Sequence, residues 1–311
     1  MKSKSYKKSG IFFGIALCLC FLARFVQIYL DVDKSTGNLH SSAVNGIFAP
    51  LVLLIVLVVG IILYILTPEN KLPAVDSKGG TFIGVASFLS CVALIYDGYM
   101  NYATQKNILK VALEEGLAPT DKKNLELVTN ISMILLIISV MAAIYFILLA
   151  CKAFGNKKIS RKLMAVFSLF LPLWCCIKLA LDYINLTNMP ILTEKIYDTI
   201  TICSMALFFM ANIRILSNVK RENSGRLTIS MGFLSIFAIV VFTIPRYLMA
   251  IFSDYNLIAK PISIDIVNIA ICLYIIAYLT NTFISKEDEE PTIADIVPSD
   301  PQVIDTENIV E

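Results

Sequence analysis

Residues 131–151 read ISMILLIISVMAAIYFILLAC, twenty-one consecutive positions without a charged side chain. A helix rises about 1.5 Å per residue, so about 20 such residues cross the hydrocarbon of a bilayer, and this stretch predicts a membrane-spanning helix. It is the core of an apolar run over 128–151, and seven similar runs recur at about 11–30, 43–66, 81–100, 163–184, 195–216, 227–252 and 262–284. The whole chain agrees with them. Hydrophobic residues make up 57% of it and charged residues 16%, with a mean hydropathy of +0.76, which suits no water-facing globular surface. The fold class expected is all-α, a polytopic membrane bundle of eight transmembrane helices.

Residues 1–10 carry Lys2, Lys4, Lys7 and Lys8 ahead of the first run, like a signal peptide, but no small-x-small site closes that run. An uncleaved signal anchor is expected. Lys and Arg in the connections divide unevenly, sixteen on the side of the amino terminus and seven on the other, with three more inside spans. The excess places both termini in the cytoplasm. The outer connection 101–127 has Ile108, Val111, Ala112 and Leu117 at helical spacings among charged residues, which predicts an amphipathic helix lying on the membrane surface. From Ser285 to Glu311 there are nine acidic residues, three prolines and one lysine, so segment 285–311 is expected as a disordered cytoplasmic tail.

The eight cysteines all fall in apolar runs without CxxC spacing and read as small buried hydrophobes, and the single histidine, His40, sits in a polar loop. No metal site and no cofactor are expected. The basic residues serve topology rather than nucleic-acid binding. Zinc-protease, rhomboid-type and Walker signatures are absent, so no enzymatic activity is expected.

Charge inside the membrane costs about 2.5–3.5 kcal/mol at the bilayer centre and marks the places to look. Arg24, Lys178 and Arg246 each lie about six residues from the outward end of a span, and Asp97, Asp182, Glu194, Asp198 and Asp265 come to the same outer level. Cations near helix C-termini and acids near N-termini suit the macrodipole, whereas Asp97 and Asp182 oppose it. Lys178 is four residues before Asp182 and is expected to pair with it. Asp97 is expected to pair with Arg24 or Arg246 from another helix. Arg24, Asp97, Lys178, Asp182 and Arg246 are thus the candidate ligand-binding layer, an outward-open polar crevice suited to a small anionic or zwitterionic molecule or a lipid. Pro50, Pro172 and Pro245 should kink their spans, and the GxxxG pairs Gly10/Gly14 and Gly80/Gly84 should mark close helix packing.

Arg24, the loop from Asp31 to Leu39, Pro172-Leu-Trp174 with Lys178, and Glu194-x-x-x-Asp198 together resemble uncharacterised multi-pass membrane proteins of clostridial Firmicutes, over most of the chain before the tail. Lys178 stands where that pattern suggests arginine. The resemblance implies a bacterial inner-membrane location and no particular activity. Two roles follow as expectations: binding or transport of a small molecule through the crevice, or a structural, assembly or sensory role in which the acidic tail meets a cytoplasmic protein. A membrane enzyme using Asp97 or Asp182 is the third.

Overall fold

The computed structural model describes residues 3–31, 43–67, 80–114, 119–155, 159–186, 192–217, 221–252 and 262–287. Among these residues the chain is helical without strands: α1 (Ser3–Asp31), α2 (Ala43–Leu66), α3 (Thr81–Glu114), α4 (Pro119–Gly155), α5 (Arg161–Ser168), α6 (Phe170–Leu186), α7 (Leu192–Leu216), α8 (Arg221–Phe242), α9 (Ile244–Phe252) and α10 (Ile262–Glu287). Seven stretches among them are long and apolar enough to cross a membrane: Ser9–Tyr29, Thr81–Glu114, Lys122–Gly155, Arg161–Ile184, Lys195–Leu216, Ser224–Leu248 and Ile266–Phe283. This is a polytopic helix bundle. In α2 the apolar stretch Leu54–Leu66 is shorter. The acidic segment beyond Glu287 and the loop holding His40 lie outside the described residues.

Two of the seven stretches are interrupted by a single turn residue just ahead of a proline. Pro172 has no N–H to donate, and α5 gives way to α6 three residues earlier, at Leu169, whose amide turns back to Val166 at 3.3 Å. Pro245 acts in the same way two residues after Thr243, the junction of α8 and α9. The helical direction survives in both, because Leu173 still donates to Leu169 and Tyr247 to Thr243.

Segment 101–127 departs from the expectation of a separate surface helix. Its first part continues α3 to Glu114 and its last part already belongs to α4, so the two form one antiparallel hairpin. The reason is local. Between Gly98 and Gly155 the sequence has one glycine and one proline, Gly116 and Pro119, and both fall at the turn. With 34 and 37 residues, α3 and α4 far exceed the about 20 that hydrocarbon requires.

Side-chain contacts fix the direction of each helix. Gly98 faces Ser139 while Gly84 faces Phe154, so α3 and α4 are antiparallel. The Ser90 hydroxyl donates to the Ala270 carbonyl at 3.0 Å and Gly80 lies near Asn281, so α10 is antiparallel to α3. Gly60 meets Leu234, while Arg226 reaches the carbonyls of Tyr64 (2.7 Å) and Ile65 (3.2 Å), so α2 is antiparallel to α8. That arginine also satisfies acceptors left over at the C-terminal end of α2 and stacks on the Tyr64 ring. Exposed Ile11, Ile15, Leu19, Leu22 and Val26 form an outward stripe on α1, as lipid would require.

The glycines differ in what they permit. A Cβ on Gly98 would stand 2.8 Å from Ser139 Oγ and 3.3 Å from the Leu136 Cα, so this glycine sets α3 hard against the α4 backbone. Around Gly10 and Gly14 there is nothing within 4 Å, so that GxxxG pair packs against nothing among the described residues. Gly98→Ala should therefore destabilise the protein by about 1–3 kcal/mol, since a backbone cannot retreat as a side-chain tip can. Gly10→Ala should be neutral or slightly stabilising through helix propensity. Thermal unfolding of the two variants in detergent checks this; equal midpoints would remove the close α3–α4 approach.

Candidate functional site

Asp97 sits on the buried face of α3, one residue before the Gly98 contact, and is fully enclosed. Its partner is Lys178 of α6, whose ammonium lies 3.2 Å from Oδ1 and 3.1 Å from Oδ2, with 2% and 0% of the two side chains exposed. Asn101, one turn further along α3, donates its amide to Oδ1 at 2.9 Å and to the Asp97 carbonyl at 2.7 Å. The carboxylate thus accepts three hydrogen bonds, and its charge is matched by one cation. Trp174, a turn before Lys178 on α6, is buried.

This corrects the expected pairings. Asp97 meets a cation from another helix, as anticipated, but the cation is Lys178 rather than Arg24 or Arg246. The ammonium of Lys178 goes to Asp97 rather than only to its helical neighbour Asp182. The neighbour order fits it: α4 packs against both α3 and α6, and α3 approaches α4 closely at Gly98, next to Asp97. The dipole argument at Asp97 also falls. Because α3 runs on to Glu114, Asp97 lies far from the helix end, and its burial rather than the macrodipole demands the cation.

Arg24, 3% exposed, belongs to a different cluster. Its Nη1 donates to Gln27 Oε1 at 2.8 Å, one turn along the same face of α1, and its guanidinium lies 4.4 Å from the centre of the Tyr197 ring on α7. That ring in turn stacks on Phe242 of α8 at 4.7 Å and 10°, so cation and two rings form a three-layer pile. Asp182 is half-buried at the end of α6, where the dipole does oppose it, and with Asp198 it lies within electrostatic reach of Lys195. Arg246 is half-buried in α9. The side chains of Glu194 and Asp265 are outside those described. Among the described residues Asp97 and Lys178 form one buried cluster and Arg24 on Tyr197 another, while Asp182 and Arg246 are half-buried.

A second polar level went unread in the sequence. Tyr145 of α4 and Tyr274 of α10 share a hydrogen bond between their hydroxyls at 3.2 Å, and Asn212 of α7 donates to Tyr145 at 3.2 Å. All three are buried, among Phe146, Phe208 and Tyr278 in edge-on contact. Each residue sits singly in an apolar run, so only the side-by-side placement of three helices reveals them. An asparagine inside an apolar span, Asn212 four residues before the end of α7, was the available signal.

Chemically, the Asp97–Lys178 pair is neutral as a unit and closed to water and lipid, which suits holding helices rather than receiving a ligand. Among the described residues no three His, Cys, Asp or Glu side chains come together as metal ligands. Breaking a buried pair strands one charge at a cost of about 3–5 kcal/mol, whereas removing both charges strands none. Asp97→Asn and Lys178→Met should each lower stability by that order, and the double variant should recover most of the loss. The cycle of Asp97→Asn with Arg24→Gln should be additive. Thermal or denaturant unfolding in detergent measures both, and coupling in the second cycle but not the first would reassign the partner of Asp97.

No family model, no curated protein and no solved structure matches this chain, so the arrangement of its own side chains carries the functional argument.

Proposed function

We propose that this chain is an eight-span protein of a bacterial cell membrane that acts through contact with a cytoplasmic protein, made by its acidic C-terminal segment, rather than as a carrier or an enzyme. The observation that carries the reading is the sealing of the charged layer: Asp97, Lys178 and Arg24 are each no more than 3% exposed. Charges that hold helices together are not presented to cargo. The largest body of charge left over is the acidic segment 285–311. A crossing count of eight is supported by α2, which packs antiparallel to α8 and has its C-terminal carbonyls capped by Arg226. The excess of basic residues at the amino-terminal end supports a cytoplasmic location for both termini.

The rival reading, a small zwitterion bound at the outer end of the bundle, draws support from half-buried Asp182, Asp198 and Lys195. Two experiments separate these readings and test the topology. A single cysteine at Asn124, in a background lacking the eight native ones, should react with an impermeant maleimide in intact cells. One at Ser160 should react only after lysis; reaction of both from the same side would remove the α4 crossing. In living cells a photo-crosslinking amino acid at Ile296 should give a discrete adduct heavier than the chain. If no such adduct forms, and a zwitterion protects Lys195 from amine-reactive labelling, the rival stands and the partner reading is abandoned.

A further inference from the structure

In sequence, the amino terminus and the segments joining α2 to α3, α4 to α5 and α7 to α8, with the helix turns beside them, hold fifteen Lys and Arg against three acids, Glu69, Asp76 and Glu222. Three packed elements build a rim at one end of the bundle: α5 starts there with exposed Arg161 and Lys162, α7 finishes there with exposed Arg214, and α8 starts there with Arg226. The N-terminal ends of α5 and α8 add the positive poles of their dipoles.

The register of α8 and α10 shows where the acidic segment leaves. Asn268 of α10 reaches Thr243 at 3.5 Å, and further along the antiparallel pair Gly232 faces Ile275 and Leu279. The same register brings Glu287, the last residue of α10, level with the first turn of α8, which holds Arg221. Glu287 therefore ends α10 beside the basic rim, and Asp288-Glu289-Glu290 follow it in sequence. A chain of 24 residues, the length of 288–311, has a root-mean-square reach of about 27 Å without fixed structure. The row α10, α8, α7, α5 spans three interaxial steps of about 8–10 Å. The rim is within reach along its whole length.

We propose that segment 288–311 is held by the basic rim of its own bundle, formed by the ends of α5, α7 and α8, and that its availability is regulated by release from that rim. The proposal rests on the reading above that this segment is the part presented to a partner. The segment carries eight acidic residues and no cation, so charge alone makes the contact, and no fixed pose is required. A partner or an anionic headgroup must compete with the rim, which makes the bundle a reversible cover for its own binding segment.

The test uses the full chain, one copy per nanodisc of zwitterionic lipid, with a photo-crosslinking amino acid at Val303. At about 0.1 M salt, where the screening length is about 10 Å, crosslinks should map to residues 156–166 and 214–226. At about 1 M salt, where it is about 3 Å, their yield should fall about fivefold or more. The exposed-site variant Arg161→Gln/Lys162→Gln/Arg214→Gln should show the same fall at low salt with an unchanged melting midpoint. Crosslinks confined to lipid, or a yield that neither salt nor the triple variant changes, would overturn the proposal. The two claims fail separately. A heavy adduct in cells without rim crosslinks in nanodiscs leaves the partner and removes the cover, and the converse result removes the partner alone.

Discussion

An ionised carboxylate in the interior of a membrane bundle must have a cation and must have its lone pairs filled, and the arrangement of α3, α4 and α6 follows from meeting that demand at Asp97. Lys178 supplies the charge and Asn101 a further donor. The lysine comes from α6, and α4 packs against both α3 and α6. Beside the pair, Gly98 brings α3 close to the α4 backbone at Leu136 and Ser139. Ser139 turns its own hydroxyl back onto the Leu135 carbonyl at 2.8 Å, so a polar residue occupies the contact without adding an unmet bond. A well-packed hydrophobic trio of similar volume would be about as stable or more so, which makes specificity of neighbour and register the role best suited to this pair.

In lipid the apolar faces of helices gain little by choosing one neighbour over another, since the tails are as apolar as leucine. Discrimination has to come from close packing and from polar groups that accept one arrangement only. This bundle has three polar clusters of that kind among its described residues. Asp97–Lys178 ties α3 to α6; Arg24 on Tyr197 ties α1 to α7; Tyr145, Asn212 and Tyr274 tie α4, α7 and α10. Each cluster taken alone would allow its helices to slide or rotate about it. Together they leave few alternative registers for the helices they join.

Much of the architecture was legible because hydrocarbon thickness imposes a length on apolar runs, and a run such as 131–151 has no competing explanation. Proline at 172 and 245 likewise marked the interruptions at Leu169 and Thr243, since the missing donor acts through the local backbone, whereas α2 runs unbroken through Pro50. What remained hidden depends on lateral order. The i,i+4 spacing of Lys178 and Asp182 is visible in one helix, while the nearness of Lys178 to Asp97 exists only after α4 has been placed between them. Depth alone made Arg24 and Arg246 equal candidates for Asp97. The hairpin of α3 and α4 was misread for another reason: a change from apolar to mixed composition near Asn101 marks where a helix leaves hydrocarbon, and that is not where it ends. Breakers decide the end, and here they are Gly116 and Pro119. The two GxxxG pairs divide: Gly84 does pack closely, against Phe154, but a pattern that permits close approach does not require it, and Gly10 has open space where Gly98, in no motif, has a backbone.

The position of the ion pair relative to the helix interruptions gives the buried charge its mechanical meaning. Lys178 lies six residues beyond Pro172, on the part of the α5–α6 span that follows the turn at Leu169. Arg246 lies beyond the second interruption, at Thr243, on α9. A helix that lacks a main-chain bond can pivot there at lower cost than a continuous one. Holding the far arm of α6 through Lys178, from a helix that runs unbroken through 34 residues, restrains that freedom. The buried charge and the proline thus act on one span: the proline weakens its backbone ladder, and the ion pair ties the arm beyond it to α3.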